Sequence, residues 1–261
     1  MTDVSIEILL LLGLAGFAAG FIDSIAGGGG LLTVPALLLA GLSPTEAVAT
    51  NKVGGTFGST SATLAYASKG LIDFRAQLRF AMLAAIGGAV GALMATVVPA
   101  DLMRALLPVL LIAIALYFAF KPNMDDLDRA QRMSPALFGA TIVPAIGLYD
   151  GIFGPGTGSF FMLALVSLLG YGVLKATAQT KFLNWGSNVG SLAIFILSGA
   201  IVWKIGLVMG VAQFVGARLG ASLAMKTGSR LIKPLLVTVC IALAVRLLMD
   251  PSNPLRSAVG L

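Results

Sequence analysis

Two acids and two lysines stand inside a strongly apolar chain, and each arrangement occurs twice. Asp23 precedes the run Gly27-Gly28-Gly29-Gly30, and Asp150 precedes Gly154-Pro155-Gly156-Thr157-Gly158. Lys52 follows Thr50-Asn51, and Lys181 follows Gln179-Thr180. A charged side chain at membrane depth is costly unless it is paired or lines a polar cavity, so each of the four is a functional candidate. A glycine run lets successive backbone N–H groups turn toward one point, and the helix behind it adds partial positive charge at its start. That combination suits an anion. The same glycines could instead serve only a tight bend, but their repetition beside a repeated acid favours a site.

The lysines are followed by polar residues in step. Asn184, Ser187 and Asn188 follow Lys181, while Thr56, Ser59, Thr60 and Ser61 follow Lys52. Positions 181, 184 and 188 share one helical face, as do 52, 56 and 59. A polar stripe on a membrane helix faces a cavity or another helix, although a lysine near a helix start can also snorkel to the surface. For Asp23 and Asp150 two states are open. Each could pair with a lysine, across the two halves included, or stay unpaired and carry a proton. Arg218 is a weaker site candidate, and Trp185 and Tyr149 are candidate cavity walls.

These residues need elements to hold them. The chain is 58% hydrophobic and only 11% charged, about half the charge of a soluble domain. Phe80–Val98 has no charge at all, and its length suffices to cross a bilayer. The reading is an all-α integral membrane protein. The repeat covers most of the chain: Gly20-x-x-Asp23 matches Gly147-x-x-Asp150, Ala49-x-x-Lys52 matches Ala178-x-x-Lys181, Lys69-Gly70 matches Ser198-Gly199, and Gly87-x-x-x-Gly91 matches Gly216-x-x-x-Gly220. Five hydrophobic segments are expected in each half: 4–22, 31–42, 47–68, 76–98 and 102–120, then 135–149, 159–170, 175–198, 203–225 and 232–249. The expected organisation is a first repeat over 1–120, a cytoplasmic linker over 121–134, a second repeat over 135–250 and a tail over 251–261. The Gly-x-x-x-Gly pairs at 16/20, 54/58, 87/91, 186/190 and 216/220 read as packing surfaces.

Basic residues suggest that the repeats are inverted. The basic loop of the first half, with Lys69, Arg75 and Arg79, has a counterpart holding only Lys204. The basic loop of the second half, with Lys226, Arg230 and Lys233, falls one segment later. Threading the chain with Lys69–Arg79 in the cytoplasm puts 10 basic residues inside and 3 outside, with both termini external. The segments after the glycine runs are too short to cross, so broken or re-entrant helices are expected there. Transporters built from inverted repeats place their site where the repeats meet.

Other classes fare worse. There is no histidine, the single Cys240 cannot form an intramolecular disulfide, and no metal-ligand cluster or nucleophile motif is present. No catalytic residue, metal or cofactor is assigned, and the expectation is that the chain is not an enzyme. The net charge of +6 is spread between apolar segments rather than along a stripe, which argues against nucleic acid.

Phe21-Ile-Asp-Ser-Ile-Ala-Gly-Gly-Gly-Gly30, then Pro35, Ala49-Thr-Asn-Lys52 and Ala178-Gln-Thr-Lys-Phe182 resemble the TauE/SafE family of sulfite-exporter-like permeases over nearly the whole chain. The resemblance implies transport of small anions, often sulfur-containing, through the bacterial inner membrane. It singles out the Asp23 to Gly30 loop, Asn51-Lys52 and their counterparts. Pro155 stands where Gly28 does, and Thr180 where Asn51 does, so the half-sites are unequal. The expected substrate-binding set is Gly27, Gly28, Gly29, Gly30, Asn51, Lys52, Gly154, Gly156, Thr157, Thr180, Lys181, Asn184 and Asn188. Asp23 and Asp150 serve proton coupling or ion pairing. The expected function is secondary transport of a sulfur-containing oxyanion or organosulfonate by alternating access, with a proton as a candidate coupling ion. A passive anion channel or pore is the alternative. The expected partners are the small anion and the lipid bilayer, and the oligomeric state is left open.

Overall fold

The computed structural model describes residues 5–99 and 127–227, with scattered positions between 101 and 116 and between 238 and 249. The expected segments 102–120 and 232–249 lie largely outside the described residues, as do both termini and residues 121–126. Eight helices and no strand occur among the described residues: α1 (Ile6–Ala26), α2 (Gly29–Leu39), α3 (Pro44–Ala67), α4 (Phe74–Ala95), α5 (Pro135–Ile152), α6 (Thr157–Leu168), α7 (Val173–Ser198) and α8 (Trp203–Thr227).

Helices α1, α4, α5 and α8 are long and apolar enough to cross a membrane. Their outer faces carry bare apolar side chains such as Leu11, Leu14, Met82, Ile86, Val211 and Leu219, which suits lipid rather than water. α3 and α7 have 24 and 26 residues, but they fall short of that apolarity because their polar residues are buried between the others. α2 and α6 have 11 and 12 residues, about 16–18 Å of helix, too short to cross. The helices do break at the glycine runs, α1 into α2 at Gly27 and α5 into α6 at Gly154–Gly156.

The sequence halves are not the packing units. α1 packs on α8, and α4 packs on α5. α3 also lies against α8, and α7 against α4, whereas α3 and α4 hardly touch. Two bodies result: α1, α2 and α3 with α8, and α5, α6 and α7 with α4. Their main meeting line is α3 against α7. Each body thus takes its fourth helix from the opposite half. The glycine pairs explain the swap. A β-carbon on Gly91 of α4 would sit 2.1 Å from Leu148 O of α5, and one on Gly216 of α8 would sit 2.1 Å from Phe17 O of α1. Only glycine permits such backbone approach, and in lipid this close packing holds helices together.

Local signals set the helix starts. Ser43 and Glu46 form a reciprocal capping box that opens α3, satisfying donors that the first turn leaves free. Outside the helices, the linker docks on the α6–α7 turn. Arg132 and Met133 N–H groups donate to Leu168 O at 2.9 and 3.1 Å. Asp128 pairs with Lys175 at 2.7 Å and accepts from Gly172 N–H at 2.7 Å.

Candidate functional site

Asp23 and Asp150 lie on helices rather than beyond them. α1 continues to Ala26 and α5 to Ile152, past the expected ends at 22 and 149. The helices tolerate the acids because each carboxylate ties its own helix end to the next helix start. Asp23 Oδ1 accepts from Gly29 N–H, the first residue of α2, at 3.0 Å. Asp150 Oδ1 accepts from the Thr157 hydroxyl, the first residue of α6, at 2.8 Å.

Each acid meets the lysine of the other half. Lys52 Nζ lies 2.7 Å from Asp150 Oδ1 and donates to Asp150 O at 2.5 Å. Lys181 Nζ lies 3.4 Å from Asp23 Oδ2 and also donates to Asp23 O. Both lysines are fully buried. The carbonyls they reach belong to the last turns of α5 and α1, where partial negative charge collects. The cross-half pairing is therefore the state adopted, and it links the two packing bodies.

The pairs are unequal. Asp150 is also held by the Ser187 hydroxyl at 2.7 Å, and its side chain is 3% exposed. Asp23 has the longer lysine contact, and its side chain is 14% exposed.

The two glycine breaks press against each other between the pairs. Ser159 N–H donates to Gly27 O at 3.1 Å, and the Ser159 hydroxyl donates to Ala26 O at 2.9 Å. A β-carbon on Gly158 would lie 2.6 Å from Gly27 Cα. Beside this crossing is a polar cavity of about 20 Å³. Its walls include the acids Asp23 and Asp150, the glycines 27, 29, 30 and 154, and the amides Asn51, Asn184 and Asn188. Thr157 also lines it. Gly28, Gly156 and Thr180 are placed off its wall, and Lys52 and Lys181 stand behind it, attached to the acids. Asn51 is fixed by the Thr33 hydroxyl of α2.

Some candidates fall elsewhere. Thr56 donates to Lys52 O, Ser59 to Gly55 O and Thr60 to Thr56 O. These three hydroxyls are thus satisfied on their own helix, whereas Ser61 donates to Phe214 O of α8 at 2.7 Å. Arg218 is exposed on α8. Trp185 stacks on Phe182, and the Tyr149 hydroxyl donates to Pro155 O at 2.5 Å. Neither ring lines the cavity. Two wall residues escaped the sequence reading: Gly55 of α3, and Gln213 of α8, which is 3% exposed. The signal for Gln213 was a single amide in the apolar run from Trp203 to Arg218. Among the described residues, no acidic, histidine or cysteine cluster fit for a metal occurs.

Residues 12–247 match the family described as Sulfite exporter TauE/SafE. A probable membrane transporter protein, ORF9, of Sinorhizobium sp. is 57% identical over 260 residues, covering 100% of both chains. The probable membrane transporter protein YfcA of Escherichia coli K12 is 46% identical over 92% of this chain and 91% of its own. A probable membrane transporter protein of Haemophilus influenzae is 42% identical over 95% of this chain and 97% of its own. No solved structure matches. The chain belongs to the sulfite exporter TauE/SafE family and is a membrane transporter.

Proposed function

We propose that the chain is a multi-pass secondary transporter of the bacterial inner membrane that carries a small sulfur-containing anion, an oxyanion or an organosulfonate, by alternating access. The observation that carries this reading is the pair of buried ion pairs crossing between the two bodies beside one polar cavity. The site's two lysines and two aspartates sum to no net charge. An anion entering it must draw a lysine away from its acid, and the acid left behind is stable at that depth only if protonated. The looser pair is the one to open. Asp23 takes the proton, and Lys181 is released to the anion, while Lys52 stays locked to Asp150.

The cavity's size argues for motion. A space of about 20 Å³ holds roughly one water-sized group, less than a sulfur oxyanion needs. The bodies must part along α3 and α7 to admit it. They are joined by the α3–α4 and α7–α8 connections, where Gly70 and Gly199 have φ near +70° and open space around them. The rocking units are these swapped bodies, not the sequence halves. The inverted arrangement of the repeats, with both termini external, belongs to the same reading and rests on the basic-loop asymmetry.

The test is transport by purified protein in proteoliposomes under an imposed pH gradient, with sulfite, thiosulfate, sulfoacetate, sulfate and small carboxylates as the panel. Gradient-driven accumulation of a sulfur-containing anion is expected. Flux indifferent to the gradient identifies a passive pore, and transport of carboxylates alone overturns the substrate class.

A further inference from the structure

Gln213 is the cavity's odd member. It comes from α8, wedged between α1 and α3. A β-carbon on Gly54 would sit 2.0 Å from its Nε2, and one on Gly20 would sit 2.3 Å from its backbone O. The Gly54 notch therefore exists to let this amide lie across α3. Its neighbour Gly55 makes the same room for Asn188, whose Oδ1 a β-carbon there would meet at 2.8 Å. Amides from α8 and α7, one from each body, thus converge over Gly54-Gly55 on the cavity that Asp23 and Asn51 also line.

Two of the amides are tied down. Asn188 Nδ2 donates to Asn184 O at 2.8 Å, and Asn51 accepts from Thr33. Gln213 Nε2 is buried and has no partner. A buried unpaired N–H donor is destabilising, and native proteins keep few of them. Packing does not require an amide here. By the repeat register that aligns Gly216 with Gly87, the equivalent residue on α4 is Ala84, which is fully buried in the same kind of helix contact. The amide is thus an addition to one body only, on the cavity wall, with its Nε2 unsatisfied within the protein.

Resting on the anion-transport reading above, we propose that Gln213 is a substrate-binding residue whose Nε2 donates a hydrogen bond to an oxygen of the bound oxyanion. It gives the site a neutral donor on the α1–α3–α8 body, opposite Asn188 on the other body. An anion with several oxygens can accept from both at once and bridge the bodies. The carboxylate of Asp23 shares this wall and repels an anion while ionised, so the bound state has that acid protonated.

The test compares Gln213→Met with wild type and with Lys181→Met, using the purified full chain in detergent. Binding of sulfite, sulfoacetate, sulfate and chloride is measured by calorimetry, and ligand-free melting is measured in parallel. Loss of one hydrogen bond to a charged ligand is expected to weaken oxyanion binding about 10- to 150-fold. Ligand-free Gln213→Met should melt at or above the wild-type temperature, because an unsatisfied donor has been removed. Wild-type oxyanion affinity in Gln213→Met with weakened binding in Lys181→Met overturns the role of Gln213 and leaves the site standing. Wild-type affinity in both, or no binding of any oxyanion by wild type, overturns the site itself. A large drop in ligand-free melting with unchanged affinity assigns Gln213 to packing. Gln213→Asn, a shorter amide, should recover part of the binding only if the donor is what matters.

Discussion

Lys52 of α3 and Asp150 of α5 lie 2.7 Å apart, both buried, and 98 residues separate them in sequence. The contact joins the two packing bodies and has a looser counterpart in Lys181 and Asp23 at 3.4 Å. Breaking a buried pair by removing one partner leaves an uncompensated charge, at a cost of roughly 3–5 kcal/mol.

Lys52→Met should therefore destabilise the protein more than Lys181→Met does, because the Asp150 side chain is 3% exposed against 14% for Asp23 and has less contact with its surroundings through which to be relieved. The double variant Lys52→Met/Asp150→Leu should recover most of the loss. Melting in detergent checks both statements. Equal melting of the two single variants would remove the basis for assigning the pairs different roles.

Asp23 is expected to be the coupling acid. Asp23→Asn should still exchange anion for anion across a vesicle membrane but lose accumulation driven by a pH gradient. Asp150→Asn should instead lose folded protein. Accumulation that persists in Asp23→Asn places the coupling elsewhere.

The crossing of the glycine breaks makes a graded prediction. Gly158→Ala puts a β-carbon 2.6 Å from Gly27 Cα, whereas Gly28→Ala meets only the flexible tip of Leu31 at 3.0 Å. Transport should fall at least about tenfold in the first, since backbone must move to relieve the clash, and change little in the second. Similar rates for both would show that the contact between the breaks does not matter.

Much of this was readable in the chain, for physical reasons. Charges at membrane depth are costly unless paired or lining a polar cavity, so two acids and two lysines marked a site and made lysine pairing one of two open states for each acid. Which acid meets which lysine was not readable, because residue type does not distinguish Asp23 from Asp150. The glycine pairs announced close helix packing, and every one that was named faces a neighbouring helix. That Gly91 faces α5 and Gly216 faces α1 depends on long-range shape, so the exchange of α4 and α8 between the halves was invisible. The hydrophobic segments stop just short of Asp23 and Asp150, while the helices run on past both, with the acids bonded to Gly29 and Thr157. Gln213 read as an ordinary residue of an apolar helix, since only the Gly54 notch shows where its amide goes.

Outside the membrane, the linker contact should respond to acid. The Lys175 ammonium and the Gly172 N–H hold the Asp128 carboxyl below its ordinary value of 3.8. A depressed folded pKa means that the contribution is complete above 3.8 and disappears as pH falls through the lower folded value. Both side chains are about half exposed, so the effect is local and small. Amide exchange at Gly172, corrected for its intrinsic pH dependence, should quicken in that acid range in wild type. In Asp128→Asn it should already be fast at neutral pH. Protection at Gly172 that is the same in both proteins contradicts this.

The most direct measurement is the affinity of Lys181→Met and Lys52→Met for sulfite and sulfoacetate, on folded protein. A small anion that sheds water to enter the site gains charge-assisted hydrogen bonds from a lysine that methionine does not offer. Loss of one is expected to weaken binding about 10- to 150-fold. The account predicts that loss in Lys181→Met, with a smaller change in whatever Lys52→Met protein remains folded. Wild-type affinity in both variants would contradict it.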